Sequence, residues 1–193
     1  MLSIDIETIK LILRLKKGRN FPIWQSSHNQ KIIKEELIDE DTKLVTVEID
    51  IDHNADTLEI NNIGKNSKET IVDSTGKILK DQIFEIQDIL VNDIKIENWF
   101  VKNNSQFIPK YDLSTIEYAE KHNIILPAQE NTLQLFNNGT WKFKFERPFF
   151  LWYNQIMIES IEDISNNIWV KQSHLGLASK DMLDRLDSLL EKL

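Results

Sequence analysis

The run DIDHNAD, residues 50–56, carries more metal-binding character than any other stretch of this chain. Asp50, Asp52, Asn54 and Asp56 place hard oxygen donors at every second position, the spacing with which a calcium loop begins. The pattern then fails. The position that needs glycine for the sharp turn holds Ala55, and the one that supplies the closing bidentate acid holds Asn61. The same residues also read as the solvated face of a strand running into a turn. No metal is assigned to them, and no cofactor is expected.

Other chemistry is harder to assemble. His28, His53, His122 and His174 are scattered without paired spacing, and the five glycines are isolated, so there is no phosphate-cradling loop and no G-x-S-x-G elbow. Cysteine is absent, which removes thiolate ligands, disulfides and a Cys nucleophile. Acidic pairs such as Glu35-Glu36 are abundant, and none is singled out as a glycosidase couple. The expectation is a protein that is not an enzyme. A net charge of −8, with one basic cluster at Arg14, Lys16, Lys17 and Arg19, argues against nucleic acid, which is bound through a basic surface. No apolar run approaches membrane-spanning length, and the acids before the first apolar run reverse the order of a signal peptide, so no membrane partner is expected.

The elements that would position any site are mostly strands. In LVTVEIDID, Val45, Val47, Ile49 and Ile51 alternate with Thr46, Glu48, Asp50 and Asp52, the period of a half-buried strand. TLEINNI repeats it. ETIVDSTGKIL reads as strand, type I turn, strand, and QIFEIQDILVNDIKI as further strands with a turn at VND. NTLQLFNNGTWKFKFERP predicts a hairpin about Asn138-Gly139. STIEYAEKHNI predicts a helical insert with Ser114 as N-cap and Glu117 completing a capping box. Trp141, Phe143 and Phe145 share one strand face, which suits a core or a ligand-stacking platform; the core reading is preferred.

The chain therefore predicts a mainly β protein: an antiparallel β-sandwich, jelly-roll-like, over 43–148, with short helical extensions at both ends. Residues 1–42 read as an arm with a helix over the apolar run 2–19, although alternation of Ile9, Leu11, Leu13 and Leu15 also fits a strand. Residues 149–193 read as a helical extension opened by Pro148. It carries Trp152 and Tyr153, then a terminal stripe of Leu183, Leu186, Leu190 and Leu193. These six are the expected interaction residues. The stripe is too short to persist alone as a helix, so it docks on its own domain or on another subunit.

Two stretches carry a family resemblance. In residues 69–96 Thr70, Val72, Asp73, Gly76, Ile78 and Asp81 form a T-x-V-D-x-x-G-x-I-x-x-D run, and Asn138-Gly139 opens a strand ending in aromatics. Together they resemble uncharacterised β-sandwich structural proteins of tailed phages of marine bacteria. The resemblance implies a virion structural or assembly protein of a tailed phage, in tail, neck or capsid, put together in the host cytoplasm and acting through contacts with its own copies or other virion proteins. The alternative is a glycan-binding β-sandwich module, which resembles jelly-roll carbohydrate-binding domains in outline.

Overall fold

The computed structural model describes residues 7–51, 55–66 and 68–160. The chain divides into two compact units at Phe145/Glu146. The first is mainly β, and its sheets are antiparallel throughout.

The first sheet is built on β1 (Glu7–Lys16), which lies between β4 (Thr42–Ile51) and β8 (Ile83–Val91). Beyond β4 lies β3 (Gln30–Leu37); beyond β8 lies β11 (Gln134–Leu135), and β9 (Ile94–Ile96) also pairs with β8. The second sheet runs β10 (Ser105–Lys110), β12 (Asn138–Lys144), β5 (Thr57–Ile63), β2 (Ile23–Ser26). A two-stranded third sheet joins β6 (Ile71–Val72) to β7 (Ile78–Lys80).

Alternation explains the core. Ile9, Leu11, Leu13 and Leu15 of β1 are buried, as are Val45, Val47, Ile49 and Ile51 of β4 and Phe84, Ile86, Ile89 and Val91 of β8. The second sheet adds Leu58 and Ile60 from β5 and Trp141 and Phe143 from β12, with Phe145 just beyond it. Each fully buried side chain of this size contributes roughly 1.5–3 kcal/mol. Trp24 of the second sheet meets Phe84 of the first with ring centroids 6.2 Å apart. The aromatic face of β12 is core: Trp141 and Phe143 stack at 6.0 Å and 16°.

Four expectations need correction. The N-terminal apolar run is a strand over 7–16, not a helix. A helix would bury one stripe, whereas β1, paired on both edges, buries every second residue and satisfies its backbone in two ladders. The polar stretch after it holds β2 and β3, so residue 43 opens no new domain. Asn138-Gly139 is not a hairpin turn, because β11 and β12 pair in different sheets. Gly139 instead has φ +152°, and a Cβ there would lie 2.3 Å from the Ile108 carbonyl oxygen, so glycine allows β10 to approach. The insert helix α2 (Leu113–His122) is capped by Asp112 rather than Ser114: its carboxylate accepts from Thr115 N at 2.7 Å and from the Ser114 hydroxyl. A shorter helix, α1 (Asn98–Asn103), buries Phe100 and Val101.

The turn at VND is as expected. Asn92 and Asp93 both have positive φ, the geometry of a two-residue hairpin loop between β8 and β9. In the second unit, residues 149–160 are helical. Pro148 immediately precedes this helix, α3, and its carbonyl accepts from Leu151 N and Trp152 N.

Candidate functional site

The T-x-V-D-x-x-G-x-I-x-x-D run turns out to be one mechanical unit. Asp73 begins the turn between β6 and β7, and its carboxylate accepts from Thr75 N at 2.8 Å, the Thr75 hydroxyl at 2.6 Å and Lys77 N at 3.0 Å. These bonds, the Thr75 hydroxyl first, hold its pKa below the ordinary carboxylate value. Gly76 takes φ +86°, which closes the turn and which only glycine adopts without cost. At the base, the Thr70 hydroxyl donates to Asp81 at 2.7 Å, tying the two ends of the run together.

The base of this hairpin is anchored further. Lys65 Nζ reaches Asp81 at 2.7 Å, the Gln82 carbonyl at 3.1 Å and the Phe136 carbonyl at 2.5 Å, which uses all three ammonium protons. The Asn138 side chain accepts from Lys65 N at 2.9 Å and donates to Lys65 O at 2.7 Å, imitating a strand pair. Beside it Glu69, itself buried, accepts from Asn20 Nδ2 at 2.9 Å, Asn20 N at 2.8 Å and Arg19 N at 2.9 Å. The Asn20 side chain first, and then its backbone, keep the Glu69 carboxylate below its ordinary pKa. A cleft of about 360 Å³ opens here, with a lining of mixed character that includes Lys65, Thr70, Asp81, Lys110, Phe136 and Asn138. Lys65, Thr70, Asp81 and Asn138 are thus engaged with one another or with backbone, an arrangement suited to fixing chain segments.

This anchoring holds a hairpin whose strands carry exposed apolar side chains: Val72, Ile78 and Leu79 are all exposed on the small sheet. Lys80 at its end pairs with Asp41 at 2.5 Å, and Asp41 also meets Lys17 at 3.3 Å. The second exposed apolar element is β3. All eight of its residues are exposed, including Ile32 and Leu37, and Ile38 follows in the same state. β3 pairs with β4 on one side and has no strand on the other among the described residues. Sequence reasoning missed it, because two adjacent isoleucines in a charged stretch break period two. The cause is a register shift between Ile32 and Lys34 that leaves Ile33 unpaired.

The residues singled out from sequence fall in several places. Asp50 is exposed on the outward row of β4, and the Asp56 carboxylate accepts from the Thr57 hydroxyl at 2.9 Å; Asp52, His53 and Asn54 lie outside the described residues. Among the described residues no group of three His, Asp or Glu is placed to hold a metal. His28 contacts the Thr57 carbonyl at 3.0 Å and His122 packs on Tyr118, so the structure does not bring these two together. Trp152 and Tyr153 lie on α3, half-buried, and group with Phe149: Tyr153 stacks on it at 6.1 Å and Trp152 meets it edge-on at 5.5 Å. Leu183, Leu186, Leu190, Leu193 and His174 lie outside the described residues. No described helix is long and apolar enough to cross a membrane. Compared with known proteins, the chain matches no family model, no curated sequence and no solved structure.

Proposed function

We propose that this chain is a non-enzymatic assembly protein, a structural component of a tailed-phage virion that works through protein–protein contacts. In this reading its two large antiparallel sheets form a β-sandwich, jelly-roll-like in the way the chain switches between sheets, as at β1–β2, β2–β3 and β11–β12. The observation that carries the proposal is the β6–β7 hairpin. Its turn and base are fixed by Asp73, Gly76, Thr70 and Asp81, while its two strands present Val72, Ile78 and Leu79 to solvent. A rigid, anchored and apolar projection is what a contact arm requires, because little order has to be acquired on docking. Thr70, Val72, Asp73, Gly76, Ile78 and Asp81 are also the first of the two stretches on which the phage resemblance rests, the second being Asn138-Gly139.

The glycan reading has less to support it, since the aromatic face expected to stack on a sugar lies in the core. Light scattering on the full chain tests the proposal. A mass above the 22.7 kDa of one copy is expected, and combined Val72→Ser, Ile78→Ser and Leu79→Ser substitutions should reduce it without loss of fold. A single-copy mass at every concentration, together with binding on a glycan array or turnover on a glycosidase panel, would overturn it.

A further inference from the structure

We infer that β3 is the seam along which a second copy of this chain pairs, antiparallel and about a two-fold axis, to continue the first sheet across two subunits. The inference deepens the assembly reading, and rests on it, by naming the partner and the strand.

An edge strand exposes a row of backbone N–H and C=O groups that can template another strand. On β3 that row is accompanied by apolar side chains that have no cover among the described residues. Ile32 is 52% exposed, Leu37 64% and Ile38 51%. Ile32 stands opposite Val47, whose side chain points into the core, so Ile32 extends the core row past the edge of the sheet. A neighbour continuing the sheet would cover this overhang.

Charge identifies the neighbour. The strand is polarised along its length: Lys31 and Lys34 occupy its first half, Glu35 and Glu36 its second. Antiparallel pairing with an identical strand places each basic half beside an acidic half, twice, by symmetry. Parallel pairing would set like against like, which is unfavourable in cross-strand pairs. With the two-fold between Ile33 and Lys34, Lys31 faces Glu36 of the other copy, and both lie on the row that points away from the core, opposite Glu48 and Leu44 of β4. Within one copy these charges have partners at the surface: Lys34 meets Glu36 at 2.6 Å, and the half-buried Lys43 meets the exposed Glu35. Surface pairs of this kind hold little energy and can exchange partners.

The experiment uses two charge-reversed full-length variants, Lys31→Glu with Lys34→Glu and Glu35→Lys with Glu36→Lys. All four positions are exposed in β3, so the fold should survive, and circular dichroism checks that it does. Analytical ultracentrifugation should show the parent self-associating and each variant alone associating about tenfold more weakly or worse. An equimolar mixture of the two variants should recover the parent's affinity, because its strands are again complementary. Should a reversed variant misfold, Ile32→Lys with Leu37→Lys offers a second route to the same loss. Variants that keep the parent's mass, or a mixture that fails to recover it, would overturn the seam. If association then disappears only on changing Val72, Ile78 and Leu79, the seam falls while the assembly reading stands. A parent that never self-associates overturns the seam outright.

Discussion

β12 and β3 are both strands of one β unit, yet they sit at opposite limits of what a strand can do. β12 is paired on both edges, by β10 and β5, and its inward row of Trp141 and Phe143 is fully buried. Its outward row is satisfied across the sheet, with Lys142 to Glu59 at 2.5 Å and the Thr140 hydroxyl to Asn61 at 2.7 Å. β3 is paired on one edge, carries an unpaired residue at Ile33 and buries none of its side chains. The difference shows where stability and association separate in this molecule. Stability is concentrated where strands paired on both edges bury alternating apolar rows. Capacity for contact is left where a strand has one neighbour and its apolar residues overhang the edge.

The comparison breaks most readily at the core end. Phe143→Ala removes a large ring from a fully buried site and leaves a cavity, so it should cost about 3–5 kcal/mol of unfolding free energy. Urea titration measures it, and a cost near zero would mean that the aromatic row is a surface. Gly139→Ala comes next. Its Cβ would meet the Ile108 carbonyl at 2.3 Å and the Phe107 ring at 2.8 Å, at a φ of +152°, and a loss of roughly 1–3 kcal/mol is expected. A neutral result would mean that β10 and β12 lie further apart than described.

Glu69 sharpens the comparison by pH. Its folded pKa is depressed, by the Asn20 side chain above all. The stability it contributes is therefore present above the unfolded carboxylate value of about 4.3 and is lost as pH falls through the lower folded value. Glu69→Gln should be less stable than the parent at neutral pH, and the gap should narrow progressively as pH falls below about 4.3. Thermal melts at several pH values read this out, and a gap independent of pH would contradict the charged network. The smallest effect belongs to β3: Ile32→Ser, at a site 52% exposed, should change the stability of a dilute single copy by no more than about 0.5 kcal/mol.

What the sequence disclosed follows the same division. The rows of β4, β5 and β12 were legible, because strict alternation arises only where one face is covered. β3 was hidden, since its bulge shifts the register and exposure erases the pattern. β1 remained ambiguous because alternation of Ile9, Leu11, Leu13 and Leu15 fits a strand while the apolar run 2–19 also admits a helix; the two flanking ladders decide, and they come from residues 42–51 and 83–91. Asn138-Gly139 misled, since the dipeptide that makes hairpin turns also permits a close backbone approach. The motif at 70–81 was read from its turn residues. Its anchoring by Lys65 and Asn138 depends on contacts more than fifty residues away, or on a loop folded back, and no local pattern carries those.

Hydrogen–deuterium exchange on the full chain, followed as a function of protein concentration, tests the central contrast most directly. β12 amides should be strongly protected at every concentration. Amides of residues 30–37 should exchange quickly in dilute solution and become protected as concentration rises, because a second copy then completes their ladder. Residues 30–37 that exchange at one rate across the whole range, or β12 amides that gain protection only on concentration, would contradict the account.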